Sequence, residues 1–383
     1  MKIDELPTPF YIVYEDRLRR NLDLISEVSR RSGAKIIMAF KANALWRTFH
    51  IFKEYGIECT ASSLNELQLG REFLCDKVHS YCPVYTAATF GSFLRGSSHI
   101  TFNSLSQWRR FGTELQAYNK VASEHYVSPG LRVNPRCSVI ETDLYNPALP
   151  GSRFGVQASD LADGLPDGIE GLHFHALCES SAEDLVKVLG AFEQQFGHLI
   201  NGLKWVNMGG GHLMTRKGYN IDLLVETLRD FSSRYPGVQV ILEPGSAFTW
   251  QTGDLVTSIL DVVENDGVRT AIIDASFACH MPDTLEMPYQ PAIAEAVESS
   301  PSTIAYRLGG NSCLSGDYCG PWYFDKPLLE GERLTLCDMN HYTTVKTTMF
   351  NGIQHPDIVF CDHSGDCTCL RHFDYRDYRD RMS

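Results

Sequence analysis

The sequence lacks three features that would direct it to a membrane or to nucleic acid: a long hydrophobic run, a basic leader and an excess of positive charge. No stretch approaches the roughly 18 apolar residues that span a bilayer, and residues 1–9 contain neither an apolar segment nor a basic one. The 34 Lys and Arg residues face 47 Asp and Glu residues, so the formal net charge is −13. This balance argues against nucleic acid and anionic membranes. It suits a cationic small substrate, although charge by itself is better explained by solubility, since many soluble enzymes are mildly acidic. We expect a cytoplasmic protein.

Cysteine is also sparse for a chain of this length. The 12 cysteines among 383 residues are too dilute for a disulfide scaffold, and we expect free thiols in a reducing compartment. One group near the end of the chain has zinc-ligand residue types: Cys361, His363, Cys367, Cys369 and His372. It lacks a Cys-x-x-Cys pair, and the segment SGD at residues 364–366 is typical of a hairpin turn. We therefore expect no metal site.

The chain does contain an alternation of buried strands and helices. Short apolar runs, typical of strands covered on both faces, occur at residues 36–40, 57–60, 78–82, 100–102, 131–134, 171–175, 205–208 and 238–242. Helical patterns accompany many of them, at residues 16–31, 64–74, 105–111, 182–200 and 221–235. Eight strands alternating with helices predict an α/β fold, a closed (β/α)8 barrel of the TIM type, over residues 15–248.

The last third of the chain has a different pattern. Strand-like runs at residues 255–263, 269–274, 303–308, 333–337 and 357–361 are separated by turns, with few helical periods. We predict a second, mostly β domain over residues 249–383. The aromatic and β-branched run Phe10–Tyr14 lies outside the barrel count, and we expect residues 1–14 to join this second domain.

Polar and reactive side chains follow the predicted barrel strands. The residues at these positions are Lys41, Ser62, Asn103, Asn134, His175, Gly209 and Glu243. Because the carboxyl ends of parallel barrel strands form one rim, which carries the active site in barrel enzymes, we expect these side chains to lie close together. A lysine, a histidine and a glutamate on one rim favour a catalytic site.

Each of these residue types offers a specific chemistry. Burial would lower the pKa of Lys41 and free its amine as a nucleophile, although a lysine after a strand is also an ordinary surface residue. The glycine run that begins at Gly209 would let N–H groups approach a phosphate, or would form a tight turn. Glu243 would be a general base, a cation ligand or a partner of a heterocycle nitrogen. His175 suits stacking on a flat ring; with His173 it offers two metal ligands, but we find no third.

These parts together fit pyridoxal phosphate. The lysine would form a Schiff base with the cofactor, the glycine amides would hold its phosphate, and the carboxylate would keep the pyridine nitrogen protonated. A protonated pyridine ring takes up the electrons of a carbanion. A metal-dependent barrel hydrolase would need a ligand cluster that we cannot assemble from this sequence.

Several segments carry a resemblance to a known family. They are AFKAN (39–43), LHFHALCE (172–179), NMGGGH (207–212), CHMPD (279–283) and LEMPY (285–289). With these segments the chain resembles, from Thr8 to Gly352, the alanine racemase and ornithine decarboxylase group (fold type III) of pyridoxal-phosphate enzymes. Within this group it most resembles the carboxynorspermidine and carboxyspermidine decarboxylases. The resemblance implies decarboxylation of a cationic, carboxylated polyamine to norspermidine or spermidine in polyamine biosynthesis.

The resemblance also implies residue roles around the cofactor. Lys41 would carry the cofactor, His175 would stack on its ring, and Glu243 would pair with the pyridine nitrogen. Arg132 would support the ring and the histidine, and Tyr342 would lie near the phosphate. The phosphate would also be bound by the glycine run Gly209, Gly210 and Gly211. Racemases of the group have an arginine where Glu243 stands, so Glu243 favours decarboxylation.

A second set of roles concerns the substrate. Cys313, in the segment GNSCLSGD (310–317), matches the Cys–Asp loop of the family and would reprotonate the α-carbon. This loop usually reaches the active site of the partner subunit, so a homodimer with shared sites is implied. The candidate substrate-binding residues are Glu243, Asp274, His280, Asp283 and Asp317. Asp274 and Asp283 are equally well explained as turn or cap residues.

The sequence departs from the family pattern at Ser246. Related amino-acid decarboxylases commonly have Glu-Pro-Gly-Arg, with the arginine on the phosphate, whereas this chain has EPGS at residues 243–246. Phosphate binding must then rely more on backbone amides, hydroxyls and Tyr342, and room is opened near the substrate. The alternatives are a basic amino-acid decarboxylase acting on ornithine, lysine or diaminopimelate, a racemase, and a non-catalytic protein that binds the cofactor.

Overall fold

The computed structural model describes residues 1–122 and 124–383. The described chain divides into two compact units, Asn21–Phe248 and the combination of Met1–Arg20 with Thr249–Ser383. The sequence predicts the first boundary between its two domains after residue 14. In the structure that boundary falls inside the helix Glu15–Ser32.

The unit Asn21–Phe248 is a parallel barrel. Its strands are Lys35–Ile36, Met38–Ala39, Cys59–Ala61, Val78–Tyr81, Ser97–Phe102, Ser128–Arg132, Gly171–His173, Trp205–Asn207 and Gln239–Leu242. The first two are halves of one strand interrupted at Ile37. Lys35–Ile36 pairs with the last strand, and Met38–Ala39 pairs with Cys59–Ala61. The sheet therefore closes on itself through eight strand positions, and the predicted fold class is confirmed.

Helices surround this ring of strands. They are Glu15–Ser32, Phe49–Glu54, Leu64–Phe73, Ala87–Gly96, Leu105–Val121, Ala182–Phe196, Ile221–Arg234 and the short Ser246–Thr249. Several begin at a side chain that accepts a hydrogen bond from the backbone of the first turn, as Ser63 does from the Glu66 amide and Ser181 from the Asp184 amide. Short 3-10 turns occur at Ile3–Glu5, Trp46–Thr48, Asp143–Tyr145, Ala158–Leu161, Gly197–Leu199 and Phe350–Gly352.

Large side chains fill the interior of the barrel near the beginnings of its strands. The imidazoles of His79 and His99 stack at 3.9 Å between ring centroids, and the indole of Trp205 lies edge-on to His99. Two glycines make room for this indole, because a Cβ at Gly130 or Gly171 would lie 2.1 Å from it. The packing leaves the opposite, carboxyl ends of the strands to carry polar chemistry.

The second unit is built on one mixed sheet. Its strands are Phe10–Tyr14, Gly253–Asn265, Val268–Ile273, Ile304–Gly309, Tyr318–Phe324, Arg333–Leu336, Asp357–Cys361 and Cys367–Arg371. Phe10–Tyr14 lies in this sheet, between Gly253–Asn265 on one side and Asp357–Cys361 on the other. The helices of this unit are Phe277–His280, Asp283–Glu286 and Tyr375–Met382.

The cysteine- and histidine-containing segment near the carboxyl end forms a hairpin. Cys361 and Cys367 face each other across its two strands and are buried with apolar neighbours. His372 pairs with Asp357 at 2.8 Å. Within residues 1–122 and 124–383, no group of three or more His, Cys, Asp or Glu side chains is arranged to hold a metal ion. The twelve cysteines are free thiols, and no described helix is long and apolar enough to cross a bilayer.

Candidate active site

Lys41 stands two residues after the first barrel strand, which ends at Ala39, and next to His175. Its amine Nζ lies 3.4 Å from His175 Nε2. The side chain is accessible to solvent, yet it is surrounded closely enough by protein that burial lowers its pKa. The positive charge of Arg132 lowers the pKa further, while the negative charge of Glu243 raises it. Lys41 therefore has an amine that loses its proton more readily than an ordinary lysine.

The backbone of the glycine loop decides which nitrogen of His175 carries the proton. The Gly210 N–H donates to His175 Nδ1 at 3.1 Å, so Nδ1 is an acceptor. Burial and the neighbouring Lys41 and Arg132 hold the pKa of His175 well below its usual range, and the ring is neutral. A neutral ring with an accepting Nδ1 has its proton on Nε2, which faces Lys41. A hydrogen bond from this N–H to Lys41 would need the neutral form of the amine, which is the form that its lowered pKa favours.

Arg132 ends its strand beneath this pair and is almost fully buried. Its guanidinium lies between the rings of Tyr81 and Phe154, with distances of 4.8 and 4.5 Å to their centroids. Nη1 donates to the Tyr81 hydroxyl at 2.6 Å, and Nη2 donates to the carbonyl oxygen of His175 at 3.3 Å. Arg132 thus fixes the backbone from which the imidazole projects, and it supplies a buried positive charge to the site.

Glu243 follows the last barrel strand and is also buried. Its Oε1 accepts a hydrogen bond of 2.7 Å from Asn207 Nδ2, and His173 Nε2 lies 3.7 Å from Oε2. Burial raises the pKa of this carboxyl, while hydrogen bonds from Asn207 and Thr60 oppose that shift. A buried carboxylate with a fixed orientation is suited to binding a protonated nitrogen.

The loop Gly209, Gly210 and Gly211 is packed too tightly for any side chain. A Cβ added at any of the three would lie too close to a backbone carbonyl oxygen. At Gly209 the distance to the Phe174 oxygen would be 2.5 Å, and at Gly210 the distance to the Glu243 oxygen would be 2.5 Å. At Gly211 the distance to the Leu177 oxygen would be 2.3 Å. Gly209 and Gly211 also have φ values of +69° and +92°, which favour glycine.

Two of the three amides in this loop already have acceptors. The Gly209 N–H donates to Asn207 Oδ1 at 2.9 Å, and the Gly210 N–H donates to His175. Among the described residues only Gly211 keeps an amide of this loop without an acceptor. The loop therefore orients two site residues and offers one amide to an anion, which is fewer than the sequence prediction gives it.

Ser246 begins the short helix after Glu243 and lies where the related decarboxylases have an arginine. Its hydroxyl is 3.4 Å from Glu179 Oε1. The Arg216 side chain donates to the carbonyl oxygen of Glu179 at 3.1 Å. Glu179 has a φ of +48°, uncommon for a non-glycine residue.

Cys313 and Asp317 belong to the other unit and share one loop. Cys313 is exposed, and its N–H donates to Asn351 Oδ1 at 2.8 Å. The buried carboxylate of Asp317 accepts hydrogen bonds from Ser276 Oγ at 2.7 Å and from the Ala278 amide at 2.9 Å. Asp317 therefore anchors the loop that presents Cys313.

The remaining predicted acidic residues of this unit also have partners in it. Asp274 accepts from Thr8 Oγ1 at 2.6 Å and from the Ser258 amide at 2.9 Å. Asp283 forms an ion pair with Lys346, which also contacts Glu286.

The two other predicted residues of this unit are His280 and Tyr342. The buried His280 accepts at Nδ1 from the Ser276 amide at 3.0 Å, and burial lowers its pKa to about 3, so its ring is neutral. Tyr342 has a φ of +51°, and its ring lies edge-on to His341.

The barrel unit thus brings together Lys41, His175, Glu243 and Arg132, with the glycine loop between them. Three further residues complete the arrangement and are absent from the sequence prediction as site residues: Tyr81, His173 and Asn207. A signal for two of them exists in the sequence, because Tyr81 ends a strand and Asn207 lies two residues before the glycine run. His173 enters the sequence analysis only as half of a metal pair.

The arrangement fits pyridoxal phosphate on its own geometry. An amine with a lowered pKa is available to a carbonyl carbon, a buried carboxylate faces the rim for a ring nitrogen, and a side-chain-free loop leaves an amide for phosphate. A flat, neutral imidazole beside the amine offers a stacking surface. The fold and this site define a barrel enzyme that uses pyridoxal phosphate.

The family comparison agrees with this class. Residues 11–340 match the family described as "Pyridoxal-dependent decarboxylase, C-terminal sheet domain", and the chain belongs to this family. It is a decarboxylase with pyridoxal phosphate as cofactor, as the sequence predicts.

Curated relatives align along the whole chain. A carboxyaminopropylagmatine decarboxylase from Synechocystis is 42% identical, covering 100% of this chain and 97% of the relative. A carboxynorspermidine/carboxyspermidine decarboxylase from Campylobacter jejuni is 41% identical over 99% of both chains. A crystal structure of carboxynorspermidine decarboxylase with norspermidine, from Campylobacter jejuni, superposes with a TM-score of 0.89 at 40% identity, covering 98% of this chain and 100% of that one.

Proposed function

We propose that this enzyme decarboxylates a carboxylated polyamine, carboxynorspermidine or carboxyspermidine, and releases norspermidine or spermidine. The observation that carries the reaction type is Glu243, a buried carboxylate held by Asn207 on the same rim as the amine of Lys41. The substrate class is supported by full-length relatives that bear this activity in their names. Ser246, in place of an arginine, also weakens the alternative of a decarboxylase that acts on ornithine or diaminopimelate.

The chain's own residues prepare the site for the reaction. Lys41 would hold the cofactor through Nζ, His175 would lie against its ring, and Glu243 would hold the proton of its ring nitrogen. The Gly211 amide, Ser246 and Tyr342 would bind its phosphate, since the arginine of related enzymes is missing. Bound pyridoxal phosphate supplies a ring that takes up the electron pair left when carbon dioxide departs.

Cys313 Sγ would return a proton to the substrate's α-carbon. Its exposure on a loop anchored by Asp317 suits a residue that serves the site of a partner subunit, and a homodimer with shared sites remains our prediction. A cytoplasmic location likewise remains a prediction.

The cationic end of the substrate needs acidic partners. Asp283, with Glu286 beside it, is our first candidate, and the substrate's ammonium would compete there with Lys346. Asp274 and Asp317 already accept local hydrogen bonds, which suits them to positioning this region more than to direct contact. Neutral His280 would serve as a hydrogen-bonding neighbour, not as a charge partner.

The test is release of carbon dioxide with identification of the amine product. Purified protein with pyridoxal phosphate would be offered carboxynorspermidine, carboxyspermidine, carboxyaminopropylagmatine, ornithine and diaminopimelate, with Lys41→Ala as control. We expect turnover of the carboxylated polyamines and its loss in the control. Preference for carboxyaminopropylagmatine, the compound in the name of the Synechocystis relative, would mean that the distal group of the substrate is a guanidinium and not an amine. Turnover of a simple amino acid alone would overturn the proposal.

A further inference from the structure

Asn207 connects two parts of the site that have different tasks. Its Oδ1 accepts from the Gly209 N–H at 2.9 Å, and its Nδ2 donates to Glu243 Oε1 at 2.7 Å. If the Asn207 side-chain amide were reversed, its NH2 group would face the Gly209 N–H and its oxygen would face the Glu243 carboxylate. Both contacts would be repulsive, so the two partners fix the orientation of the amide. Asn207 is only 2% exposed and Glu243 only 9%, so water cannot easily replace either hydrogen bond.

The backbone tightens the same connection. The Glu243 N–H donates to the Gly209 carbonyl oxygen at 2.7 Å, and Gly210 approaches the Glu243 carbonyl so closely that a Cβ would lie 2.5 Å from it. The glycine loop and Glu243 are thus joined by main chain on one side and by the Asn207 amide on the other. A displacement of the loop must move the carboxylate, and the reverse also holds.

We propose that Asn207 is a positioning residue that couples the glycine loop to the orientation of the Glu243 carboxylate. The proposal rests on the proposed function, because it gives Glu243 its task there. Asn207 itself touches neither substrate nor cofactor in this account. Its contribution is to hold Oε1 in place, so that Oε2 would remain available to the ring nitrogen of the cofactor.

Replacement of Asn207 by aspartate separates its two hydrogen bonds. Asn207→Asp retains an acceptor for the Gly209 amide but puts a second carboxyl against Glu243. Two buried carboxyls in contact share one proton, which can occupy the lost donor position, until rising pH removes it and the two charges repel. Other charged or titratable groups near Glu243 are Lys41, Arg132, His173 and Tyr85. None of them is changed by this substitution.

The expected result is a loss of function confined to higher pH. We expect kcat of Asn207→Asp to approach the wild-type value at the acidic end of the profile and to fall at a pH at least about one unit lower than in the wild type. The absorption band of the bound cofactor, recorded without substrate, should show an additional transition in the same pH range. A purely structural role would lower activity evenly at every pH and would add no transition.

Asn119→Asp is the matched control. Asn119 also accepts from one backbone amide and donates to one carbonyl, both of Val127, at 2.9 and 2.8 Å. It lies on the helix Leu105–Val121, outside the site described above. We expect this variant to keep the wild-type pH profile and cofactor band.

A second variant decides the question if Asn207→Asp does not fold. Asn207→Ser can still accept from the Gly209 amide but is too short to reach Glu243. We expect its cofactor affinity, measured by equilibrium dialysis, to stay within about threefold while kcat falls about tenfold or more, the scale of one hydrogen bond to a charged group. An unchanged kcat, or a loss of cofactor affinity equal to the loss of kcat, would overturn the proposal.

These readouts distinguish the coupling from the substrate assignment. If the wild-type enzyme decarboxylates no carboxylated polyamine, the proposed function fails, but the cofactor band of Asn207→Asp still tests the coupling. A wild-type pH dependence of that band in Asn207→Asp would overturn the coupling even if the substrate assignment is correct.

Discussion

At the scale of single residues, the site depends on protonation states that the surrounding backbone imposes. The Gly210 amide directs the His175 proton toward Lys41, and burial together with the charge of Arg132 disfavours a protonated lysine. Both effects favour a free amine at a position where a carbonyl carbon must be captured. The nucleophile is therefore prepared by its neighbours before any cofactor or substrate arrives.

The lowered pKa of Lys41 predicts the pH dependence of cofactor capture. Because the pKa of Lys41 is lowered from its ordinary value of 10.5, the rate at which apoprotein captures pyridoxal phosphate should reach half its maximum below pH 10.5. The measurement is stopped-flow absorbance after mixing over a range of pH. Lys41→Arg should abolish the specific phase, and Lys53→Arg, on an exposed helix surface, should not change it. A midpoint at the ordinary lysine value would contradict the argument.

At the scale of elements, the barrel divides its two ends between stability and chemistry. The stacked His79 and His99 and the Trp205 indole are packed toward the beginnings of the strands. Burial, with repulsion from Lys35, lowers the pKa of His99 to about 4, so this ring is neutral in the folded protein near pH 7. The unfolded chain binds a proton at this residue below about pH 6.5, while the folded chain does not.

Stability should consequently fall on acidification. The folded pKa of His99 is depressed, so its neutral form is favoured above pH 6.5 and the folded state loses stability as pH falls from there toward 4. We expect the free energy of unfolding to decrease by about 1 to 2 kcal/mol from pH 7 to pH 5 through this residue. Urea titrations at both pH values measure it. His99→Gln should reduce the difference, whereas His50→Gln, at an exposed position, should leave it unchanged.

The packing around Trp205 gives a second prediction for the barrel. Gly171→Ala would insert a methyl group 2.1 Å from the indole, and we expect it to destabilise the protein by about 1 to 3 kcal/mol. Gly190→Ala is the matched control, because this glycine lies inside the helix Ala182–Phe196 with open space around it. That change should stabilise by about 0.5 to 1 kcal/mol. The measurement is the thermal unfolding of both variants. Equal changes in stability would show that the indole does not constrain Gly171.

The elements also show what the sequence can and cannot predict. Buried parallel strands are nearly continuous apolar runs, so all eight strand positions of the barrel are found from composition alone. The helix Ala87–Gly96 is missed because it contains two glycines and its first turn has no side-chain cap. The strand Tyr318–Phe324 is missed because Gly320 and Pro321 in its middle resemble a turn.

The candidate site also has residues that the sequence predicts and residues that it does not. Lys41, His175 and Glu243 are predicted because each lies within two residues of the end of an apolar strand, which is a property of the chain itself. The role of Asn207 depends on which strand lies beside Gln239–Leu242, and that pairing exists only in the folded barrel. The number of loop amides open to an anion likewise depends on folded neighbours, His175 and Asn207, that use two of them.

At the scale of the whole molecule, the candidate residues are divided between two units of the chain. The barrel unit carries Lys41 and Glu243, and the mixed-sheet unit carries the exposed Cys313. Our proposal joins them across a homodimer, in which each Cys313 serves the site of the partner subunit. This arrangement makes activity depend on which chains are combined, and not only on the integrity of each chain.

Mixing two inactive variants tests this arrangement. Lys41→Ala and Cys313→Ala chains that exchange subunits would form mixed dimers with one complete site, which random assortment limits to about one quarter of wild-type activity. Subunit exchange would be followed by sedimentation of tagged chains. If tagged chains exchange and activity does not return, Cys313 serves its own chain; if the protein sediments as a monomer, the homodimer is wrong.

The most direct test of the central claim is a competition between substrates in one vessel. The enzyme, loaded with pyridoxal phosphate, would receive equal concentrations of carboxynorspermidine, ornithine and diaminopimelate, and the amines formed would be quantified by mass spectrometry at early times. The ratio of products measures the ratio of kcat/KM values directly. We predict norspermidine in large excess over putrescine and lysine. A product mixture dominated by putrescine or lysine would contradict the assignment of a carboxylated polyamine as substrate.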